Sequence, residues 1–176
     1  RASAQNKDGS WSPEVRGPSA AQSEAVTAAV LLAFLTEGNT HKSGRYYKTV
    51  ASGLSWLKSR QREDGYVGSD RLPSRRFSHA LAMLYFAELY GTTHDPEVKA
   101  LLRKAVEYAF KIKTPGGGWK RSDADASDDV MLTAWMLLGL AAARRHEPGL
   151  VAWSSYETAL RVFDARADER GRIDYR

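Results

Sequence analysis

Apolar and polar positions alternate between two textures along this chain. Residues 24–37, 77–91 and 128–145 are apolar nearly all round, through the runs Ala29 to Leu35, Ala80 to Ala87 and Trp135 to Leu140. A helix apolar on every side is expected to be buried on every side. Residues 46–60, 96–112 and 150–165 read differently. Val98, Leu101, Leu102, Ala105, Val106 and Ala109 recur at helical spacing, while Glu97, Lys99, Arg103, Lys104, Glu107 and Lys111 occupy the rest of the surface. That is an amphipathic helix with one wet face. The pattern predicts six helices, a buried one followed by an amphipathic one, three times over. Short loops favour antiparallel neighbours.

Punctuation supports these boundaries. Asp95-Pro96 reads as an N-cap with proline at the first helical position. Ser127 precedes Asp128 and Asp129, whose charges suit the positive end of a helix dipole. Gly38 and Gly91 are expected to stop the helices before them.

A repeat underlies the alternation. Gly53, Trp56, Leu57, Gln61, Gly65 and Val67 recur at the same offsets as Ala105, Tyr108, Ala109, Lys113, Gly117 and Trp119. They recur again as Ala159, Val162, Phe163, Ala167, Gly171 and Ile173. The three registers begin 52 and 54 residues apart, and Gln5, Gly9 and Trp11 repeat the tail of the pattern. Fixed-period self-similarity is the mark of a repeat architecture. Gly65 and Gly117 suit a tight turn, and the glutamine can bond backbone groups left open at a helix end. The aromatic is expected to pack between neighbouring repeats, Trp119 above all.

This tail resembles the QW repeat of terpenoid cyclases and prenyltransferases. Gln5-Asn6-Lys7-Asp8-Gly9-Ser10-Trp11 carries it in full. Val67 stands in place of the tryptophan in the second copy, Lys113 in place of the glutamine in the third, and Ala167 and Ile173 leave the fourth degenerate. In wording, the chain is similar to small bacterial prenyltransferase or squalene-oxidase repeat proteins. The resemblance implies an all-α fold, three inner and outer helical hairpins forming part of an α/α toroid. It implies one domain over 1–176 that begins in mid-repeat. A closed toroid of that family takes five to seven hairpins, so the resemblance also implies that missing residues of the same gene product, a second copy or a different protein partner covers an end of the array. Val26, Val30 and Phe34 at one end, and Met131, Trp135 and Leu138 at the other, are expected to lack a neighbour.

The chemistry of that wider family is missing from the sequence. With no cysteine among 176 residues, a prenyltransferase-type zinc site and any thiolate nucleophile or disulfide are excluded. No Asp-x-Asp-Asp acid, no Asp-Cys-Thr-Ala-Glu and no Cys-Gly-Glu-Gln occurs. Charge adds little, since 26 basic against 21 acidic residues give +5. That scattered excess does not indicate nucleic acid. The longest apolar run, Val130 to Ala143, is too short to span a bilayer.

Single residues yield only weak site candidates. His79, Tyr85, Trp135 and Phe34 lie on the apolar helices and could face an axial cavity holding an isoprenoid or other apolar ligand. Ordinary core packing is the default for the three aromatics, and a buried ring satisfied by a backbone carbonyl is the default for His79. Asp123, Asp125, Ser127 and Asp129 alternate like the start of a calcium loop, but Asp128 holds the glycine position and Ala134 the bidentate glutamate position. His41, His79, His94 and His146 show no metal-ligand spacing. Ser78 lacks a nucleophile motif, and Gly116-Gly117-Gly118 is a turn without the phosphate-loop lysine. Arg71, Arg75 and Arg76 read as a solvated basic loop. No cofactor or metal is therefore expected. The favoured function is a non-catalytic helical-repeat scaffold or interaction subunit of a larger assembly. The alternative is an enzyme or carrier for an apolar ligand.

Overall fold

The structure, a computed structural model, describes residues 4–12, 23–69 and 75–173. Six α-helices follow in order: α1 (Ser23–Thr36), α2 (Tyr47–Ser59), α3 (Arg75–Thr93), α4 (Pro96–Lys111), α5 (Val130–His146) and α6 (Trp153–Asp164). No strand forms among the described residues, only isolated bridges from Gln61 to Val67 and from Ala167 to Ile173. The protein is all-α.

Packing follows the two textures. The apolar helices form a row in which α3 lies against both α1 and α5. Each amphipathic helix packs on the row helix before it: α2 on α1, α4 on α3, α6 on α5. The stripe expected on α4, from Val98 to Ala109, is buried. Central α3 is enclosed, with Ala80, Ala82, Met83, Tyr85, Phe86, Ala87 and Leu89 all at 0% exposure. Full burial of a large apolar side chain contributes about 1.5–3 kcal/mol, so α3 is the energetic spine. Gly139 of α5 makes the closest crossing. A Cβ there would lie 2.8 Å from the Met83 Cε and 3.3 Å from the Leu84 nitrogen.

Burial is most complete on α3, where Phe77, Leu81 and Leu84 are still only half-buried, and less complete on the other two row helices. Ala29 and Ala33 are exposed on α1, as are Met131 and Leu138 on α5. The reason is position, since the terminal members of a row have a row neighbour on one flank only.

The helix ends follow their chemistry with two corrections. Asp95 caps α4, its Oδ1 accepting from the Glu97 N–H at 2.8 Å ahead of Pro96. Gly38, at φ 75°, closes α1. Its N–H donates to Leu35 and that of Asn39 to Phe34, the paired bonds of a Schellman stop. Gly91 does not stop α3, which runs on to Thr93. His94, at φ 51°, turns the chain there, its ring against Tyr90. Gly91 instead leaves room for the His146 imidazole, which any Cβ would overlap. The N-cap of α5 is Asp129, whose Oδ1 accepts from the Leu132 N–H at 2.7 Å, so the helix starts at Val130 and not at residue 128.

Candidate functional site

The repeated residues gather in glycine turns, and each turn is fastened to the hairpin that follows it. Gln5 donates through Nε2 to the Gly9 carbonyl across its own turn and to the Thr49 carbonyl of α2 at 3.0 Å. Gln61 does the same to Gly65 and to the Leu101 carbonyl of α4 at 2.9 Å. Lys113, the third copy, reaches the Ser155 carbonyl of α6 at 2.5 Å, with its ammonium over the Trp119 ring. Lysine thus replaces glutamine with its second bond kept. Burial pushes the Lys113 ammonium below the usual lysine range.

The glycines complete the fastening one helical turn further along. Gly9, Gly65 and Gly117 have φ of 94°, 90° and 96°, which L side chains rarely adopt. A Cβ on Gly9 would lie 2.5 Å from the Ser52 carbonyl oxygen, and Cβ atoms on Gly65 and Gly117 would overlap those of Lys104 and Thr158. Each contacted carbonyl therefore lies three residues beyond the one that receives the glutamine or lysine.

A third contact ties each turn to the row. The Trp11 N–H donates to Thr27 Oγ1 at 2.9 Å, and the Trp119 N–H to Thr133 Oγ1 at 3.2 Å. In the middle repeat the Val67 N–H donates to His79 Nδ1 at 3.2 Å. Thr27, His79 and Thr133 stand 52 and 54 residues apart, so His79 occupies the threonine position. Its Nε2 faces the Ala105 carbonyl at 3.1 Å, and Tyr66 and Tyr108 pack on its ring. Where Val67 is smaller than tryptophan, these rings fill the space. Burial pushes the His79 imidazole down to about 4. Both ring nitrogens serve backbone groups.

Among the described residues nothing docks on the fourth turn. Gly171 keeps the left-handed conformation, at φ 74°, yet nothing lies within 4 Å of its Cβ direction. Ala167 holds the glutamine position, and Ile173 is 44% exposed. Trp119 at the same place in the preceding turn is fully buried, its Nε1 donating to the Ala109 carbonyl at 2.7 Å. On α5, Met131 and Leu138 are 44% and 51% exposed, with Trp135 half-buried between them. Their i, i+4, i+7 spacing makes one stripe. At the other end, Val26, Val30 and Phe34 are half-buried against the core.

Of the remaining candidates, Tyr85 is buried with its hydroxyl unpartnered, and burial holds that hydroxyl far above the usual tyrosine range. Phe34 packs on Trp11 and Tyr46. The structure does not bring Tyr85, Trp135 and Phe34 together, since they lie on three different row helices with no ring contact recorded among them. Arg76 corrects the solvated-loop reading. It is 3% exposed, donates to the Lys120 carbonyl at 2.9 Å and pairs with Asp123. Arg71 and the Arg75 side chain lie outside the described residues. The acidic segment makes mostly local bonds, although the Asp128 Oδ1 is buried without a partner. Asp125 accepts from the Ser122 N–H, Arg121 faces Asp129 at 3.3 Å, and Asp128 accepts from Thr114 Oγ1 and the Gly118 N–H. Among the described residues no three histidine or carboxylate side chains converge as a metal site would require. A surface groove of about 430 Å³ lies between this segment, the third turn and the end of α6, with Lys120, Arg161 and Arg166 beside Asp128.

Sequence reasoning did not single out Thr27 and Thr133, and it placed Arg76 in a solvated loop. Extending the repeat frame backwards from the turns to the row helices would have found the first two, because they keep the same spacing. No family model matches the chain, and no curated protein matches it. No helix among the described residues is long and apolar enough to cross a membrane.

Proposed function

We propose that this chain is a non-catalytic helical-repeat scaffold, an arc of an α/α toroid of the kind its QW-like turns resemble, and that it works by binding protein at the open end of its row. The carrying observation is the contrast between turns. Three glycines are closed against a following helix and the fourth meets nothing within 4 Å. Met131 and Leu138, with Trp135 half-buried between them, form an uncovered stripe on α5, the last helix of the row. An exposed apolar face at the end of a repeat array marks an interface or needs a cap. The polar groups of the turns are engaged in holding helices together, which supports a structural role for them.

A photo-reactive phenylalanine analogue at position 131 or 138, irradiated in the cells that make the protein, tests this. We expect a discrete protein adduct, identified by mass spectrometry. Absence of any protein adduct at both positions would overturn the scaffold reading.

The unpartnered hydroxyl of buried Tyr85 favours a second reading, a carrier for an apolar alcohol or isoprenoid that would satisfy it. A thermal shift on adding farnesol, lost in Tyr85→Phe, would support that reading over the scaffold.

A further inference from the structure

We infer that the groove between the third glycine turn, the segment before α5 and the end of α6 is a binding site for a small phosphate ester of the nucleoside monophosphate class. The inference stands apart from whatever binds the row.

The third turn is closed differently from the first two. In the first, the Ser10 N–H that follows the glycine donates to Asp8 Oδ1 at 3.0 Å, and in the second the Tyr66 N–H donates to Asp64 Oδ1 at 3.2 Å. Gly116 holds that aspartate's position in the third turn. The Gly118 N–H donates instead to Asp128 Oδ2 at 3.2 Å, from the segment before α5. Thr114 Oγ1 donates to the same oxygen, and Oδ1 is buried. The one carboxylate that lines the groove is thus drawn in against the turn.

The other replacements make the groove positive. Moved one repeat along, Glu63, Asp64 and Glu107 become Pro115, Gly116 and Arg161, while Gly68 and Ile112 become Lys120 and Arg166. Arg62 and Lys111 run the other way, to Thr114 and Ala165. Over these positions one net negative charge gives way to three positive ones. Lys120 and Arg161 pair with no carboxylate among the described residues. Arg166 is set in place by its Nη2 bond to the Asp128 carbonyl at 3.1 Å. A concave site lined by one sign of charge concentrates the opposite ion, and arginine with lysine suits phosphate. The opening does not come from the end of the array. Glu107 and Lys111, the α4 counterparts of Arg161 and Ala165, are exposed as well, although a further hairpin follows them.

Size selects the ester over the bare ion. The groove of about 430 Å³ falls in the range of small-ligand sites, and Pro115, Val162 and Ala165 give it an apolar wall. Val162 stands where α4 has Tyr108, whose ring packs on Tyr66 with centroids 5.1 Å apart. The third repeat has neither ring, which leaves room on that wall for a ring of the ligand.

Titration of the whole nitrogen-labelled chain with AMP, followed by amide NMR, tests this. We expect saturable shifts confined to the groove, the Gly116 and Lys120 amides among them. Arg161→Glu and Lys120→Gly each install the residue that the second repeat carries at that position, one the fold already accepts there. Each should weaken AMP binding by about tenfold or more, the scale of one charge-assisted hydrogen bond. Adenosine should leave these amides unmoved, and inorganic phosphate should move them only at higher concentration. Absence of saturable shifts with AMP would overturn the inference, as would unchanged AMP affinity in both variants. Adenosine binding as tightly as AMP would remove the phosphate from the site. Inorganic phosphate binding as tightly would remove the ring, and either result overturns the assignment.

Discussion

At the scale of single residues, His79 shows how one position serves two repeats' worth of packing. Its imidazole accepts from the Val67 N–H where the flanking repeats use threonine, and its bulk sits with Tyr66 and Tyr108 beside a valine that stands for tryptophan. Burial, opposed in part by the Ala105 carbonyl, holds it neutral with a folded-state value of about 4 against 6.5 ordinarily. The neutral form is the one that folds, so its contribution is complete above pH 6.5 and is lost as pH falls toward 4. A gap of that size corresponds to about 3 kcal/mol at the acid end. Urea midpoints measured across that window should fall with pH in the wild type and fall less in His79→Gln, which keeps an acceptor and a donor but does not titrate. Equal slopes in both would remove His79 from the acid response. Trp119 carries the matching prediction in the third repeat. It is fully buried with its indole N–H satisfied, so Trp119→Ala should cost about 3–5 kcal/mol in the same measurement. A loss under about 1 kcal/mol would mean that the tryptophan does not join the repeats. The role of Trp119 was legible in the sequence because an aromatic at a fixed offset from a glycine has few uses. His79 was legible in part, since a buried histidine satisfied by a backbone carbonyl was expected and Ala105 supplies that carbonyl. The burial of Arg76 was not, because burial of a polar residue depends on which loop folds over it. Arg76 was read as part of a basic loop and lies beneath the Lys120–Asp123 segment.

At the scale of elements, the glycine turn is the unit that repeats most faithfully. Its glutamine or lysine, its left-handed glycine and its buried N–H each touch the next hairpin at corresponding positions. Gly65→Ala and Gly171→Ala therefore make an informative pair. Both must hold a left-handed conformation, which costs about 1–2 kcal/mol with a Cβ. Only the first must also displace a helix carbonyl, that of Lys104. Thermal unfolding should show Gly65→Ala clearly the more destabilised, and similar losses would contradict docking at the fourth turn's counterparts. Lys113→Gln restores the motif residue and removes a half-buried ammonium held below its ordinary range. It should leave stability unchanged or raise it by up to about 1 kcal/mol, the scale of one net hydrogen bond. A loss larger than that would show that the lysine's contact with Trp119 outweighs its burial. The helices themselves were legible from periodicity because the amphipathic stripe and the all-apolar runs differ so sharply. The end of α3 was not, because Gly91 serves a close contact with His146 rather than a stop, and sequence spacing alone does not distinguish those uses.

At the scale of the whole molecule, three of the six helices form a row with a second helix on each member, and its ends expose different residues, alanines on α1 and Met131 and Leu138 on α5. That asymmetry was partly legible. The exposed flank of α5 was expected from Met131, Trp135 and Leu138, and Met131 and Leu138 prove exposed while Trp135 is half-buried. The exposure of Ala29 and Ala33 on α1 emerged only with the structure, because alanines in an apolar run carry no sign of which side they face. Central to this reading is that each turn is held by the hairpin after it and the last turn is held by none. Amide hydrogen exchange on the whole chain measures this directly. The Val67 and Trp119 amides, bonded to His79 and Thr133, should exchange slowly, with protection close to that of the row helices. The Ile173 amide, at the same place in the fourth turn, should exchange faster by orders of magnitude. Equal protection at Trp119 and Ile173, or rapid exchange at all three, would contradict it.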